Sequence, residues 1–218
     1  MSKFFARLVY FLFVRPWLVY IVGVRFVNRD ILDKTKQCIF VANHNSHFDA
    51  LSIMAALPPK SFNHTKTVAA ADYFDQSRLS RALMKFFFNA CLISRQRSEQ
   101  GPSMIDQLDQ ELKSGFSLIL FPEGSRGRPG VVSNFHKGIA VLLMQNPKIP
   151  FVPIYLDGFG RVLPKGQSLI IPLVCQVRFG EPVYVNSTEI GDIMDTVTEE
   201  IFKLKEKDER DHNRFTFK

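Results

Sequence analysis

Apolar and polar positions along this chain follow two periods, and each switch between them marks an element. The run Cys38-Ile39-Phe40-Val41-Ala42 gives way to the polar stretch 43–49, and apolar residues resume over 50–57. This order predicts a strand, a short elbow and a helix. Residues 61–71 read as extended, and Asp75 or Ser77 caps a helix whose apolar positions Leu79, Ala82, Leu83, Phe86, Phe87 and Ala90 recur at helical spacing. A buried strand over 90–93 follows, with Ser94 and Arg95 at its exit. Pro102 opens a helix with Met104, Ile105, Leu108 and Leu112 on one face and Gly115 past its end. Residues 116–121 form a strand that runs into a Gly- and Arg-rich loop, then a helix over 137–144 and strands over 151–156 and 173–179. A terminal amphipathic helix covers 190–204, and the charged residues beyond it read as a frayed end. Strands alternating with helices predict an α/β fold with a central, mostly parallel or mixed sheet flanked by helices.

The front end follows neither pattern. From residue 8 to 24 the only charge is Arg15, beside Pro16, and Tyr10, Phe11, Phe13, Trp17 and Tyr20 punctuate the run. No small-residue cleavage site follows, which speaks against a secretory signal. A straight transmembrane helix needs about 20 uninterrupted apolar residues. The Arg-Pro pair instead predicts two short helices with Arg15 and the aromatic rings at the level of lipid headgroups. The alternative is a hydrophobic helix packed on the soluble core. On this pattern residues 1–27 form a short hydrophobic, helical membrane-associating segment, and 28–218 form one main domain.

Composition narrows the partners. Of 218 residues, 46% are hydrophobic and 22% charged, which describes a globular chain with one sizeable core. Residues 186–218 hold six Lys or Arg against nine Asp or Glu, so a net charge of +7 divides into −3 for the tail and +10 for the body. A basic body attracts anionic headgroups, phosphorylated small molecules or nucleic acid. No zinc-finger spacing, basic helix with heptads or RNA-binding aromatic signature accompanies it, so nucleic acid is not expected. Cys38, Cys91 and Cys175 lie far apart in apolar runs and read as small buried hydrophobes, with no metal spacing to His64, His136 or His212.

Two stretches remain for chemistry. In the elbow, His44 precedes Asp49 by five positions, and if one lies on the turn and the other in the first helical turn, their side chains meet. An imidazole whose N–H is held by a carboxylate is a general base. The competing reading makes Asn43, Asn45 or Ser46 a helix cap and His44 a satisfied loop residue. Ser46 lacks the Gly-rich surroundings of a nucleophile elbow. In the loop 122–130, Gly124, Gly127 and Gly130 expose backbone N–H groups while Arg126 and Arg128 add positive charge, a combination suited to phosphate. The other reading is a solvated basic turn. The Lys-Ser/Thr ending of a nucleotide P-loop is missing. Arg95 either pairs with a carboxylate such as Glu123 or reaches an anion beside Arg126, and Lys137 is either a surface charge or a phosphate contact.

Taken in order, these residues resemble the glycerophospholipid acyltransferase family. Its first motif, a histidine and an aspartate separated by four residues, stands as His44-Asn45-Ser46-His47-Phe48-Asp49. The second is matched by Leu92-Ile93-Ser94-Arg95, the third by Phe121-Pro122-Glu123-Gly124-Ser125-Arg126, and the hydrophobic fourth by Val152-Pro153-Ile154. Asn89 stands where the second motif commonly has Gly. The resemblance implies that His44 is the base, that Asp49 orients it, and that Arg95, Glu123, Gly124 and Arg126 bind a glycerol phosphate. Ser125 and Lys137 are secondary candidates, and Pro153 shapes the acyl pocket. It further implies transfer of an acyl group from acyl-CoA or acyl-carrier protein to a lysophospholipid, foremost 1-acylglycerol 3-phosphate, without bound cofactor, metal or covalent serine intermediate. The expected location is the cytoplasmic face of the inner or plasma membrane.

Overall fold

The computed structural model describes residues 2–46, 48–70, 89–93, 102–125, 127, 134–159 and 175–216. Seven strands form one sheet: β1 (Val24–Val27), β2 (Ile39–Ala42), β3 (Thr65–Ala70), β4 (Cys91–Ile93), β5 (Ser117–Leu120), β6 (Phe151–Asp157) and β7 (Cys175–Phe179). Their order is β1-β7-β6-β2-β5-β3-β4, and every neighbouring pair is parallel except β6 with β7. The expected mixed sheet is thus present, with β2 at its centre.

Side-chain alternation along the strands builds a core on each face. Phe40 and Ala42 of β2, with Val152 and Ile154 of β6, meet the helix Phe48–Ala56 and the N-terminal helix through Ile53, Met54, Tyr10, Leu18 and Val22. Ile39 and Val41, with Phe151 and Tyr155, meet the helices Met104–Lys113, Gly138–Gln145 and Ile190–Thr216. Central strands covered on both sides explain why β2 reads as a continuous apolar run. Ser103 opens the Met104–Lys113 helix with a capping box, accepting from Asp106 N at 3.2 Å while Asp106 Oδ2 accepts from Ser103 N at 3.0 Å. The Ser103 hydroxyl, donating to Asp106 Oδ2 at 2.7 Å, and then the Ser103 N–H hold the Asp106 carboxyl below the usual carboxylate range. Met104, expected on the apolar face of this helix, is exposed.

Three expectations change. The Arg-Pro pair does not split the front end. Residues 2–22 stay helical, with wider turns over Tyr10–Val14 and Leu18–Val22 in which Arg15 N donates to Tyr10 O and Gly23 N to Leu18 O. A π-wound turn accommodates Pro16, which has no N–H to contribute and would crowd an α-helical carbonyl one turn back. Strand β1, drawn from the last residues of the apolar front end, pairs with β7 at the sheet edge. Finally, the charged tail is no frayed end through residue 208, because Asp208 is buried and pairs with buried Arg178 of β7 at 3.3 Å. The helix predicted over residues 79–90 falls largely outside the described residues.

Cys38 and Cys175 are buried, and none of the three cysteines is in a disulfide. Burial, then the neighbouring Glu111 charge, pushes the Cys91 thiol up to about 11. Pro153 sits inside β6 opposite Val41, and Gly180 N donates to its carbonyl at 2.9 Å. A Cβ on Gly180 would lie 2.6 Å from the Pro153 ring, so only glycine lets the chain leaving β7 pass this close.

Candidate active site

Parallel strands deliver their C-terminal ends to one edge of the sheet, the usual location of sites in open α/β folds. At that edge β2 and β5 lie side by side. Asn43, buried just past β2, extends the β2–β6 pairing with its side chain: Nδ2 donates to Leu156 O at 2.9 Å and Oδ1 accepts from Leu156 N at 2.7 Å. The chain then turns sharply into the helix Phe48–Ala56. Asp49, fully buried in its first turn, closes that turn with one oxygen. Oδ2 accepts from His44 Nδ1 at 2.9 Å, from Asn45 N at 2.6 Å and from Ser46 N at 2.8 Å. A carboxylate only accepts, so Nδ1 carries the proton and Nε2 is left the basic nitrogen. The side chains of His44 and Asp49 thus meet in the elbow, and Asp49, rather than Asn43 or Asn45, also ties down the N–H groups of the turn.

The loop after β5 is stitched to the same elbow. Phe121 stacks on the His44 ring with centroids 4.2 Å apart and planes inclined by 26°. Glu123 is 5% exposed, and its Oε1 accepts from His44 N at 2.8 Å. Gly127 N donates to His44 O at 2.9 Å. Gly124 has φ +68°, and a Cβ there would lie 2.9 Å from the His136 ring. Both the left-handed backbone and the approach of the imidazole require glycine. His136 is itself pinned by its N–H to Pro122 O at 2.8 Å.

The structure thus brings His44, Asp49, Glu123 and Gly124 together. Ser125 is exposed beside them, and Lys137 is exposed at the start of the Gly138–Gln145 helix. Pro153 lies three positions before Leu156, about 10 Å down the strand from the level of the elbow. Arg95 and Arg126 lie outside the described residues, as does His47. Asn89 has φ +45° and donates from Nδ2 to Thr65 O at 2.9 Å. Asparagine tolerates that left-handed conformation best after glycine, which explains how it stands in for the usual Gly. Sequence reasoning missed Asn43 and Phe121 as site builders, because one read as a cap and the other as a strand residue. Among the described residues no group of three or more His, Cys, Asp or Glu is placed to hold a metal ion.

Residues 23–157 match the family described as Acyltransferase, a stretch that contains all four motifs and more than half of the chain. The chain belongs to the acyltransferase family. This acyltransferase is 29% identical over 150 residues to human 1-acyl-sn-glycerol-3-phosphate acyltransferase beta, covering 67% of this chain and 51% of the human protein. It is 24% identical over 193 residues to the 1-acyl-sn-glycerol-3-phosphate acyltransferase of Limnanthes douglasii, covering 83% and 62% of the two chains. The chain spans about half to three-fifths of the length of these curated relatives. Its fold is shared with the crystal structure of the 1-acyl-sn-glycerophosphate (LPA) acyltransferase PlsC from Thermotoga maritima, with a TM-score of 0.67 and 20% identity over 94% of this chain and 78% of that one.

The Asn43 amide is the only side chain described as pairing both polar groups of Leu156. Asn43→Ala leaves a buried N–H and C=O without these partners and is expected to cost about 2–3 kcal/mol of stability. A urea denaturation midpoint equal to that of the parent chain would contradict this.

Proposed function

We propose that this acyltransferase moves a fatty acyl group from a thioester of coenzyme A or acyl-carrier protein to the free hydroxyl of a lysophospholipid, foremost 1-acylglycerol 3-phosphate, giving phosphatidate. The observation that supports this most is the 2.9 Å bond from His44 Nδ1 to a buried carboxylate, which makes Nε2 the proton acceptor. In the proposed step Nε2 takes the hydroxyl proton as the oxygen attacks the thioester carbonyl. The C–O bond forms, the C–S bond breaks, and the imidazolium returns its proton to the departing thiolate. Asp49 stabilises the imidazolium and keeps the ring in one orientation. Direct transfer of this kind needs no acyl-enzyme.

Arg95 and Arg126 are the cations we assign to the acceptor's phosphate. In support, β4, parallel to β5 through β3, ends at Ile93 on the same sheet edge as β2 and β5. Gly124 belongs to the same loop. Glu123 takes a different part in this reading: with Oε1 on the His44 backbone, its carboxylate positions the base, and an anion so buried is poorly suited to receive a phosphate. Ser125 and Lys137, both exposed, are the further headgroup contacts in this reading.

The helix Phe4–Val22 is long and apolar enough to associate with a membrane. Ala6, Tyr10, Leu18 and Val22 along its length are buried against the domain, while Phe4, Phe5, Leu8, Leu12, Phe13, Tyr20 and Ile21 are exposed. A helix committed to the protein on one side and apolar on the other fits the interface of one leaflet better than a span. The +10 body favours an anionic surface, which places the enzyme, in our reading, on the cytoplasmic face of the inner or plasma membrane.

Two measurements test these proposals. With an acyl thioester and a panel of lysolipids, thiol release is expected in step with formation of acylated lipid, fastest for 1-acylglycerol 3-phosphate. Thiol release without acylated product would indicate hydrolysis and sink the transfer reading. Replacing exposed Phe4, Phe5 and Phe13 together by Ser is expected to weaken binding to anionic vesicles at least tenfold, since each buried aromatic contributes about 1.5–3 kcal/mol, while the melting temperature holds. Vesicle binding equal to that of the parent chain would contradict the anchor.

A further inference from the structure

Asp49 uses its two oxygens unequally. Oδ2 takes three donors, whereas Oδ1 is buried and has no hydrogen-bond partner. A buried carboxylate oxygen without a donor is costly, and such an atom in a native fold calls for an explanation. One turn further along the same helix, Ser52 is fully buried and its hydroxyl also has no partner. Residues three apart on a helix are surface neighbours, with Cβ atoms about 5–6 Å apart. The i, i+3 spacing therefore sets two orphaned polar atoms on neighbouring turns of one helix face, a pairing that calls for a common partner. A single water suits it: one O–H directed to Asp49 Oδ1 and its oxygen accepting from the Ser52 hydroxyl.

We infer that Ser52 is a positioning residue for the His44–Asp49 dyad, acting through a hydrogen bond, relayed by one buried water, to the second oxygen of Asp49. Ser52 lies outside the motifs that the sequence reading singled out. It has two effects. It fixes the plane of the carboxylate, so that Oδ2 stays on both the elbow N–H groups and the imidazole. It also draws charge toward Oδ1, which weakens the hold of Asp49 on a proton at His44. Removing the hydroxyl concentrates that charge on Oδ2 and favours the protonated dyad, so the direction is toward a higher pKa for His44. Among the described residues, Glu123 on the loop after β5 bonds the His44 backbone, and Tyr10 and Arg15 stand on the N-terminal helix, which packs across Phe48–Ala56. None of these is altered in the variants below.

Ser52→Thr and Ser52→Val have the same shape and differ by a hydroxyl, so comparing them separates the hydrogen bond from packing. Ser52→Ala and Ser52→Val are expected to lower kcat about tenfold, a loss of the size seen when a group that orients another is removed, with KM for the acceptor within about twofold. Ser52→Thr is expected to recover most of that loss. NMR titration of the His44 ring should show its pKa rising by about half a unit in the Ala and Val variants and returning in Thr, as expected for loss of one hydrogen bond. Equal kcat and equal His44 titration in Thr and Val, or an unchanged titration in Ala, would overturn the assignment. Ser52 acts in catalysis only if His44 is the base as proposed above, and the two ideas fail separately. The ring titration needs no turnover and tests the Ser52 link, whereas a fully active His44→Ala variant would sink the base and leave the titration result standing.

Discussion

Three donors converge on a single buried oxygen, Asp49 Oδ2, and the geometry of the site depends on that convergence. Two of them are the backbone N–H groups of Asn45 and Ser46, which would otherwise be orphans of the turn between β2 and the Phe48–Ala56 helix. The third is the imidazole of His44. Folding the elbow and orienting the imidazole are consequently one event: a chain that makes this turn has already chosen which ring nitrogen Asp49 holds. Buried charge is costly when unpaired, so the same carboxylate that organises the turn would destabilise any conformation that withdrew its donors.

Around this point the sheet supplies rigidity in two directions. Toward β6, Asn43 clips the elbow to Leu156. Toward β5, Glu123 and Gly127 hold the N–H and C=O of His44, and Phe121 lies flat against its ring. The His44 backbone is thus held by a loop from another part of the chain, and β2 can serve this role because it is central. The Phe48–Ala56 helix that carries Asp49 also forms the seat of the N-terminal helix, with Trp17 against Phe48 at 5.7 Å. The apolar front end and the His44–Asp49 pair are separated by a single helix, so the front end belongs to the architecture of the site's support.

The fold was largely legible because its central strands are covered on both faces, and their apolar runs stand out between polar turns. The His44–Asp49 pair was legible for a different reason: polar residues crowded directly after a buried strand have few structural uses. What sequence could not supply were relations across the sheet. Asn43 looks like any helix cap until Leu156 is placed opposite it. Glu123 looks like an anion in a phosphate loop until its burial and its bond to His44 are seen. Pattern also misled at Pro16, where a wider helical turn absorbed the residue expected to break the helix, and at the tail, where charge composition concealed the buried partner of Arg178. The short edge strand β1 was hidden within an apolar segment whose period resembles a helix as much as a strand.

The central claim is that His44, oriented by Asp49, takes the acceptor's hydroxyl proton. Its most direct test is the rate of acylated lipid formation by His44→Ala at saturating acyl thioester and 1-acylglycerol 3-phosphate, with folding and vesicle binding checked in parallel. Loss of a general base is expected to lower kcat by about a thousandfold in a protein that still folds and binds vesicles. A folded His44→Ala protein that forms product within a few-fold of the parent rate would contradict the account.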